Sequence, residues 1–247
     1  MPVYELPEDA IVFPAPELAE PDGLLAFGGG LEPERLVLAY ANGIFPWPHE
    51  GQPMLWFSPD PRWVLPPAEL HVSRRLRRRI RQRRFELRLD SDFERTIRAC
   101  ATMDRVDGGG TWIWPDMIAA YIALHQQGFA HSAEAWLDGE LVGGLYGVSI
   151  GRVFIGESMF TGQPDAPKLA LVALVRQLER WGFDLFDVQV RTEHVLRYGV
   201  RPWPRARYLR VLRGSGLPAT RRGPWRLDED LRWGGEGSDA ASDRAAF

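Results

Sequence analysis

The stretch that most narrows the possible folds runs from residue 131 to residue 160. It reads HSAEAWL, Asp138-Gly139, ELVGGLYGVSI, a turn near Gly151, and RVFIGESMF. An Asp-Gly pair between apolar runs marks a hairpin, because both central residues of the tight turn take positive φ. The pattern predicts a three-stranded meander. A helix follows from about Pro167 to Trp181, carried by Leu169, Leu171, Val172, Leu174, Val175 and Leu178 and ended by Gly182. FDLFDVQV then reads as a buried strand. Meander, helix and strand in this order imply a mixed sheet with helices on it, an α+β or α/β domain.

The flanking grammar differs. The first sixty or so residues are rich in Pro and Gly, with one short helix between Pro33 and Gly43 and loops or short strands around it. From about residue 63, Val72, Leu76 and Ile80 form a helical stripe with arginines on the other faces. FELRLD alternates as a strand, and Asp90 or Asp92 can cap a helix through about Cys100. Pro115-Asp116 opens another helix, carried by Met117, Tyr121 and Leu124 and stopped at Gly128. Residues 192–198 and 204–212 read as two short helices. The division expected is a small irregular domain at 1–62, a main domain at 63–213 and an extension at 214–247. The last stretch, GGEGSDAASDRAAF, is polar and small and reads as a disordered tail.

Charge is unevenly placed. The chain carries a net −3, yet residues 73–84, SRRLRRRIRQRR, hold eight Arg and no acid, which leaves −11 on the rest. Packed like charges destabilise a helix, and a cationic island on an acidic body attracts a polyanion locally. Nucleic acid is favoured over anionic lipid, since the short apolar stripe suits packing on protein. The bland alternative is a solvated face. The single Cys100 excludes an internal disulfide and fits a reducing compartment. MPVYELPEDA is no basic-then-apolar leader, and the longest apolar stretch, Leu141–Ile150, is about half a membrane span. A soluble, cytoplasmic protein is expected.

Several chemistries lack their motifs. GGGTWIWP and AFGGG have neither phosphate-loop nor dinucleotide-loop spacing. The five His show no H-x-x-x-H pair, and Ser158 in GESMF is no nucleophile elbow. Ten Trp are present, several in Pro/Gly-rich contexts; most suit a core, and one or two suit stacking on a nucleobase. The remaining feature is polar. Glu157 ends one apolar strand segment, and Asp187 and Gln189 lie two apart on another. Buried polar groups are costly unless satisfied. The trio is either a hydrogen-bonded sheet pin or a device that orients and deprotonates a nucleophile.

Taken in order, GLLAFGGG, AYANGIFPW, LWFSPDPRWVLPP, HVSRRLRRR, GTWI, AYIALHQQGFAHSAEAW, LVGGLYGV, GESMF, DVQV and WPRARYL resemble the leucyl/phenylalanyl-tRNA–protein transferase family from about Phe13 to Leu212. The resemblance implies an α+β protein with an N-acetyltransferase-like mixed sheet behind a small N-terminal domain. It implies transfer of Leu, Phe or, less readily, Met from charged tRNA to proteins with N-terminal Arg or Lys, marking them for N-degron degradation. ATP, CoA and metal would not be needed, and the enzyme would act as a cytoplasmic monomer. By the same resemblance Gln189 accepts a hydrogen bond from the acceptor amine, Asp187 orients or polarises Gln189, and Glu157 completes the site. Leu145, Phe154 and Leu174 would form an apolar donor pocket, and Trp47 and Trp112 would hold the terminal adenosine. Arg74, Arg75, Arg77, Arg78, Arg79 and Arg81 would take the tRNA backbone charge. The sequence departs from the family at Gly30, Phe57, Pro167, Val188 and Leu145, where Asp, Trp, Ser, Cys and Met are usual or frequent.

Two rivals make different demands. A CoA-dependent acetyltransferase needs amide donors after FIGESMF, where TGQPDAPK has two prolines. A non-catalytic RNA-binding module would use the Arg helix and tryptophans and ignore the polar trio.

Overall fold

The computed structural model describes residues 3–49, 51–103 and 113–232. The first part of the chain forms β1 (Tyr4–Leu6), β2 (Leu24–Gly28), α1 (Pro33–Ala41), β3 (Phe45–Pro46) and β4 (Leu55–Phe57). Their strands make a four-stranded sheet in the order β1-β2-β4-β3. Pro33 starts α1 with a fixed φ and no N–H to waste, and Gly43 at φ 72 follows its end.

Next come β5 (Arg62–Leu65), α2 (Arg74–Arg81), β6 (Glu86–Leu89), α3 (Phe93–Ala101) and α4 (Pro115–Gln126). The meander is β7 (Ala130–Leu137), β8 (Glu140–Ile150) and β9 (Val153–Thr161). After it come α5 (Ala166–Arg180), β10 (Leu185–Gln189), α6 (Glu193–Leu196), β11 (Arg201–Trp203) and α7 (Arg205–Ser215). The second sheet runs β11-β5-β10-β9-β8-β7-β6. Asp138 and Gly139 take φ 52 and 80, as the tight turn requires. Asp92 is the residue that caps α3, accepting from the Arg95 N–H. The α+β class expected from sequence is the one formed.

The sheet is larger than the sequence pattern predicts, because β5 and β11 extend it beyond β10. Both are short and paired only with distant partners, so neither shows a period of its own. Two cores flank the sheet. One gathers α1, α3, α4 and α7 with residues of both sheets, including Trp56, Tyr121 and Val148. The other lies under α2 and α5. Within residues 214–232, Trp225, Leu227 and Leu231 are buried in the second core. Trp225 stacks on His131 at 3.7 Å and its backbone N–H donates to Asp90 at 2.7 Å. The tail GGEGSDAASDRAAF lies outside the described residues.

Candidate active site

β9 and β10 run parallel, with Val153, Phe154 and Ile155 opposite Leu185, Phe186 and Asp187. Beyond that register the strands part. β9 continues against β8 alone, where Gly147 faces Gly156 and Tyr146 faces Ser158, so Glu157 is the extra residue of a bulge. β10 bulges too, between Asp187 and Gln189. Gln189 takes φ 63, and the Val190 N–H donates to Val188 O at 2.7 Å, a γ-turn that strains a non-glycine residue. Residues 156–159 and 188–190 are all partly exposed. The parted carboxyl ends of these two parallel strands are the candidate crevice, the place where open α/β sheets take ligands.

Glu157 and Gln189 bridge this crevice: Gln189 Nε2 donates to Glu157 Oε1 at 2.8 Å. An ionised carboxylate only accepts, so the amide must present its NH₂ group there and turn its Oε1 elsewhere. The other carboxylate oxygen, Oε2, accepts from Tyr121 Oη at 3.2 Å, and Tyr121 is hydrogen-bonded in turn to Tyr40. Burial pushes the Glu157 carboxyl up to about 7, against the lowering effect of the Tyr40, Tyr121 and Gln189 hydrogen bonds and the Arg62 charge. Both tyrosine hydroxyls are held well above their ordinary value, chiefly by burial and then by the Glu157 charge.

Asp187 holds the frame. It is fully buried, and Arg62 Nε donates to both its oxygens at 3.0 Å while Nη2 donates to Oδ2 at 2.7 Å. The guanidinium lies over the rings of Phe45 and Tyr208 and also donates to Gly43 O. Burial works against its charge, but Asp187, together with Tyr208 and Glu157, more than offsets this and raises the Arg62 pKa above the usual guanidinium range. The backbone N–H of Gln189 donates to Asp187 Oδ1 at 2.8 Å. Asp187 thus fixes the strained turn through the main chain, with its charge committed to Arg62. The expected spacing of two along one strand face is broken by the bulge, which lets Gln189 reach Glu157.

Sequence reasoning missed Arg62, Tyr40 and Tyr121. Arg62 stands in LWFSPDPRWVLPP, a charge opening an apolar strand, which was the available signal. Tyr121 read as part of an apolar helix face and Tyr40 lay unremarked in the short helix before Gly43; in either place a buried hydroxyl needs a partner.

Leu145, Phe154 and Leu174 are together, but in the second core, 2%, 0% and 1% exposed, while Glu157 faces the first. Phe154 and Glu157 are three apart on a strand, so alternation before the bulge puts them on opposite faces. Trp47 is half-buried against Phe45, His49 and Phe57. Phe45 also meets Arg62, so Trp47 is one ring away from the Asp187 pair. Trp112 lies outside the described residues. The six arginines of α2 are exposed, while Leu76 and Ile80 anchor the helix in the second core.

Among the described residues one group has the composition of a metal site, Asp90, His125 and His131. Its atoms are occupied by protein. His131 contacts Asp90 through Nδ1 and Gly128 O through Nε2, His125 contacts Ala130 O, and Asp90 accepts from the Ser132 and Trp225 N–H groups. This group ties the C-terminal strap to the sheet.

A carboxyl group poised near neutrality beside a half-buried amide, where two parallel strands part, has the chemistry to receive an amine and take its proton. That is the equipment of a group-transfer enzyme. A model of the leucyl/phenylalanyl-tRNA protein transferase family matches residues 64–213, and one of its N-terminal domain matches residues 29–60. Relatives with the name leucyl/phenylalanyl-tRNA–protein transferase include one from Myxococcus xanthus, 51% identical over 91% of this chain and 97% of that one. Another, from Anaeromyxobacter sp. strain Fw109-5, is 55% identical over 92% and 97%. A third, from Nitratidesulfovibrio vulgaris strain DP4, is 53% identical over 94% and 99%. A solved structure of L-PGS from Bacillus licheniformis aligns with 69% of this chain and 56% of that one, at 12% identity and a TM-score of 0.36, too slight a likeness to carry an argument. The chain belongs to the leucyl/phenylalanyl-tRNA–protein transferase family, and it is an aminoacyltransferase.

Proposed function

We infer that this enzyme moves Leu, Phe and, less readily, Met from aminoacyl-tRNA onto the α-amino group of proteins with N-terminal Arg or Lys, marking them for N-degron degradation. It acts as a monomer in the cytoplasm. The observation that carries the reading is the Glu157–Gln189 bridge across the parted strands, inside the residues matched by the family. No helix among the described residues is long and apolar enough to cross a membrane, in keeping with substrates that are tRNA and protein.

The chemistry asks little of the protein. An aminoacyl ester is already activated, and an α-amino group with a reference pKa near 7.7–8.0 is partly neutral at pH 7. Gln189 Oε1 accepts a hydrogen bond from the amine, whose lone pair attacks the ester carbonyl. As the N–C bond forms and the C–O bond to the ribose breaks, one amine proton passes to the leaving ribose oxygen, directly or by way of Glu157. With its carboxyl near 7, Glu157 is matched to that proton. It also suits a cationic N-terminal side chain. Asp187 and Arg62 position Gln189.

The donor side chain enters the apolar core formed by Leu145, Phe154 and Leu174. Trp47 and Trp112 hold the terminal adenosine, and Arg74, Arg75, Arg77, Arg78, Arg79 and Arg81 take the tRNA backbone. The test is to supply radiolabelled leucyl-tRNA and two peptides differing only in N-terminal Arg or Ala, without ATP or CoA. Label on the Arg peptide alone is expected. Label on neither, with tRNA still bound, would reduce the trio to a sheet pin.

A further inference from the structure

The segments that leave the carboxyl ends of β9 and β10 lead into α5 and α6. Where those helices approach α2, a second cleft of about 80 Å³ is lined by Arg75, Arg79, Lys168, Arg197 and Tyr198, with Asp165 at its base. Three elements that are distant in sequence thus bring four cationic side chains to one small cavity. One carboxylate answers them. Asp165 accepts from Lys168 Nζ at 2.6 Å and faces Arg79 Nε at 3.3 Å and Arg75 Nη2 at 3.9 Å. Its side chain is only 8% exposed, whereas those of Lys168, Arg79 and Arg75 are 38%, 46% and 79% exposed. The Lys168 hydrogen bond, followed by the Lys168, Arg75 and Arg79 charges, holds the Asp165 carboxyl below the usual range despite burial. The cleft is electropositive with its internal anion in place, and the cations are pre-positioned around that anion.

We propose that this cleft is a phosphate subsite, and that it takes a single phosphodiester of the donor's 3′ end. The reading rests on the donor assignment above and adds Lys168 and Arg197, which lie outside the arginine run. The volume accommodates a small cluster of waters or one phosphate group, too little for a nucleoside. Arg and Lys side chains converging on one cleft form the charge-assisted hydrogen bonds that phosphate oxygens accept. Unlike the solvated outer face of α2, this site would bind one phosphate at a fixed place and so set the register of the donor's end in the crevice.

The test compares two non-hydrolysable donors by calorimetry, 3′-leucylamino-3′-deoxyadenosine and the same molecule extended by one cytidine through a phosphodiester. In the wild type the phosphodiester is expected to tighten binding about tenfold. Lys168→Gln and Arg197→Gln should each remove most of that gain and leave the adenosine analogue's affinity unchanged, which a general loss of structure would not do. A gain that survives both substitutions overturns the subsite. Inorganic pyrophosphate is titrated into the same three proteins as a second probe. Failure of the adenosine analogue to bind at all strikes the donor reading, and the pyrophosphate arm then decides the cleft: equal binding by all three proteins overturns it. Lys168-dependent binding of pyrophosphate with no Lys168-dependent gain from the phosphodiester would assign the cleft to a free anion and overturn the register claim.

Discussion

The crevice and the arginine helix handle charge in opposite ways. In the crevice, Asp187 and Arg62 are buried and matched atom for atom, and Glu157 shares its two oxygens between Gln189 and Tyr121. On α2, six arginines are exposed and share a single short helix that two apolar side chains hold down. Enclosed charges interact at low effective dielectric and respond to geometry and pH, while solvated charges act additively and are screened by salt. One molecule therefore offers a pH-sensitive site and a salt-sensitive surface that can be perturbed separately.

The largest effect is expected from breaking the enclosed pair. Arg62→Ala leaves the Asp187 carboxylate buried without its partner, which costs about 3–5 kcal/mol. Denaturant unfolding should register that loss, and transfer should vanish because the turn at Gln189 loses its anchor. A loss below about 1 kcal/mol would show that water or a rearranged side chain can replace the guanidinium, and the contrast between the two regions would weaken.

Next in size is Glu157→Gln, expected to lower kcat/KM by about 10²-fold or more while tRNA binding persists. In the wild type, kcat/KM should fall as pH drops through about 7, where the carboxyl protonates, and the variant should lack that limb. Stability should run the other way. A carboxyl raised from 4.5 to about 7 on folding contributes stability that is full below about pH 4.5 and lost as pH rises through 7. The variant cannot ionise, so its stability relative to wild type should improve between pH 5 and pH 8. An acid limb that stays in the variant would move the titrating group elsewhere.

How much of this could be read in advance depends on range. Asp138-Gly139, the Asp92 cap and the Pro33 and Gly43 ends of α1 are local devices whose physics is complete within a few residues, and they were legible. So was the stripe that seats α2. β5 and β11 were not, since three or four residues carry no period and their pairing partners are over a hundred residues away. The same range effect explains the site. Glu157, Asp187 and Gln189 stood out as polar residues on apolar strands, but Arg62 lies 125 residues from the carboxylate it serves. The bulges are invisible in one strand alone, because an extra residue is defined only against a partner. Family resemblance suggested Leu145, Phe154 and Leu174 as a donor pocket, and strand alternation places Phe154 on the opposite sheet face from Glu157.

The smallest effect tests the other half of the contrast. Arg74, Arg77 and Arg78 are exposed on α2, and Arg74 and Arg78 stand one helical turn apart as a like-charge pair. Replacing all three with Ala removes that repulsion and raises helix propensity, which offsets the lost hydrogen bond from Arg77 Nε to Val72 O. What should change is charged-tRNA affinity, by about tenfold at low salt. Each lost phosphate contact also takes roughly 0.7–0.9 from the slope of log K against log salt, so the plot should flatten by about two to three and meet the wild type at high salt. At saturating tRNA, kcat should be unaltered, because none of the three is among the partners of Glu157, Asp187 or Gln189. An unchanged salt slope would dismiss α2 as the backbone-binding surface. A fall in kcat would show that the helix also shapes the crevice, joining the two regions that the charges keep apart.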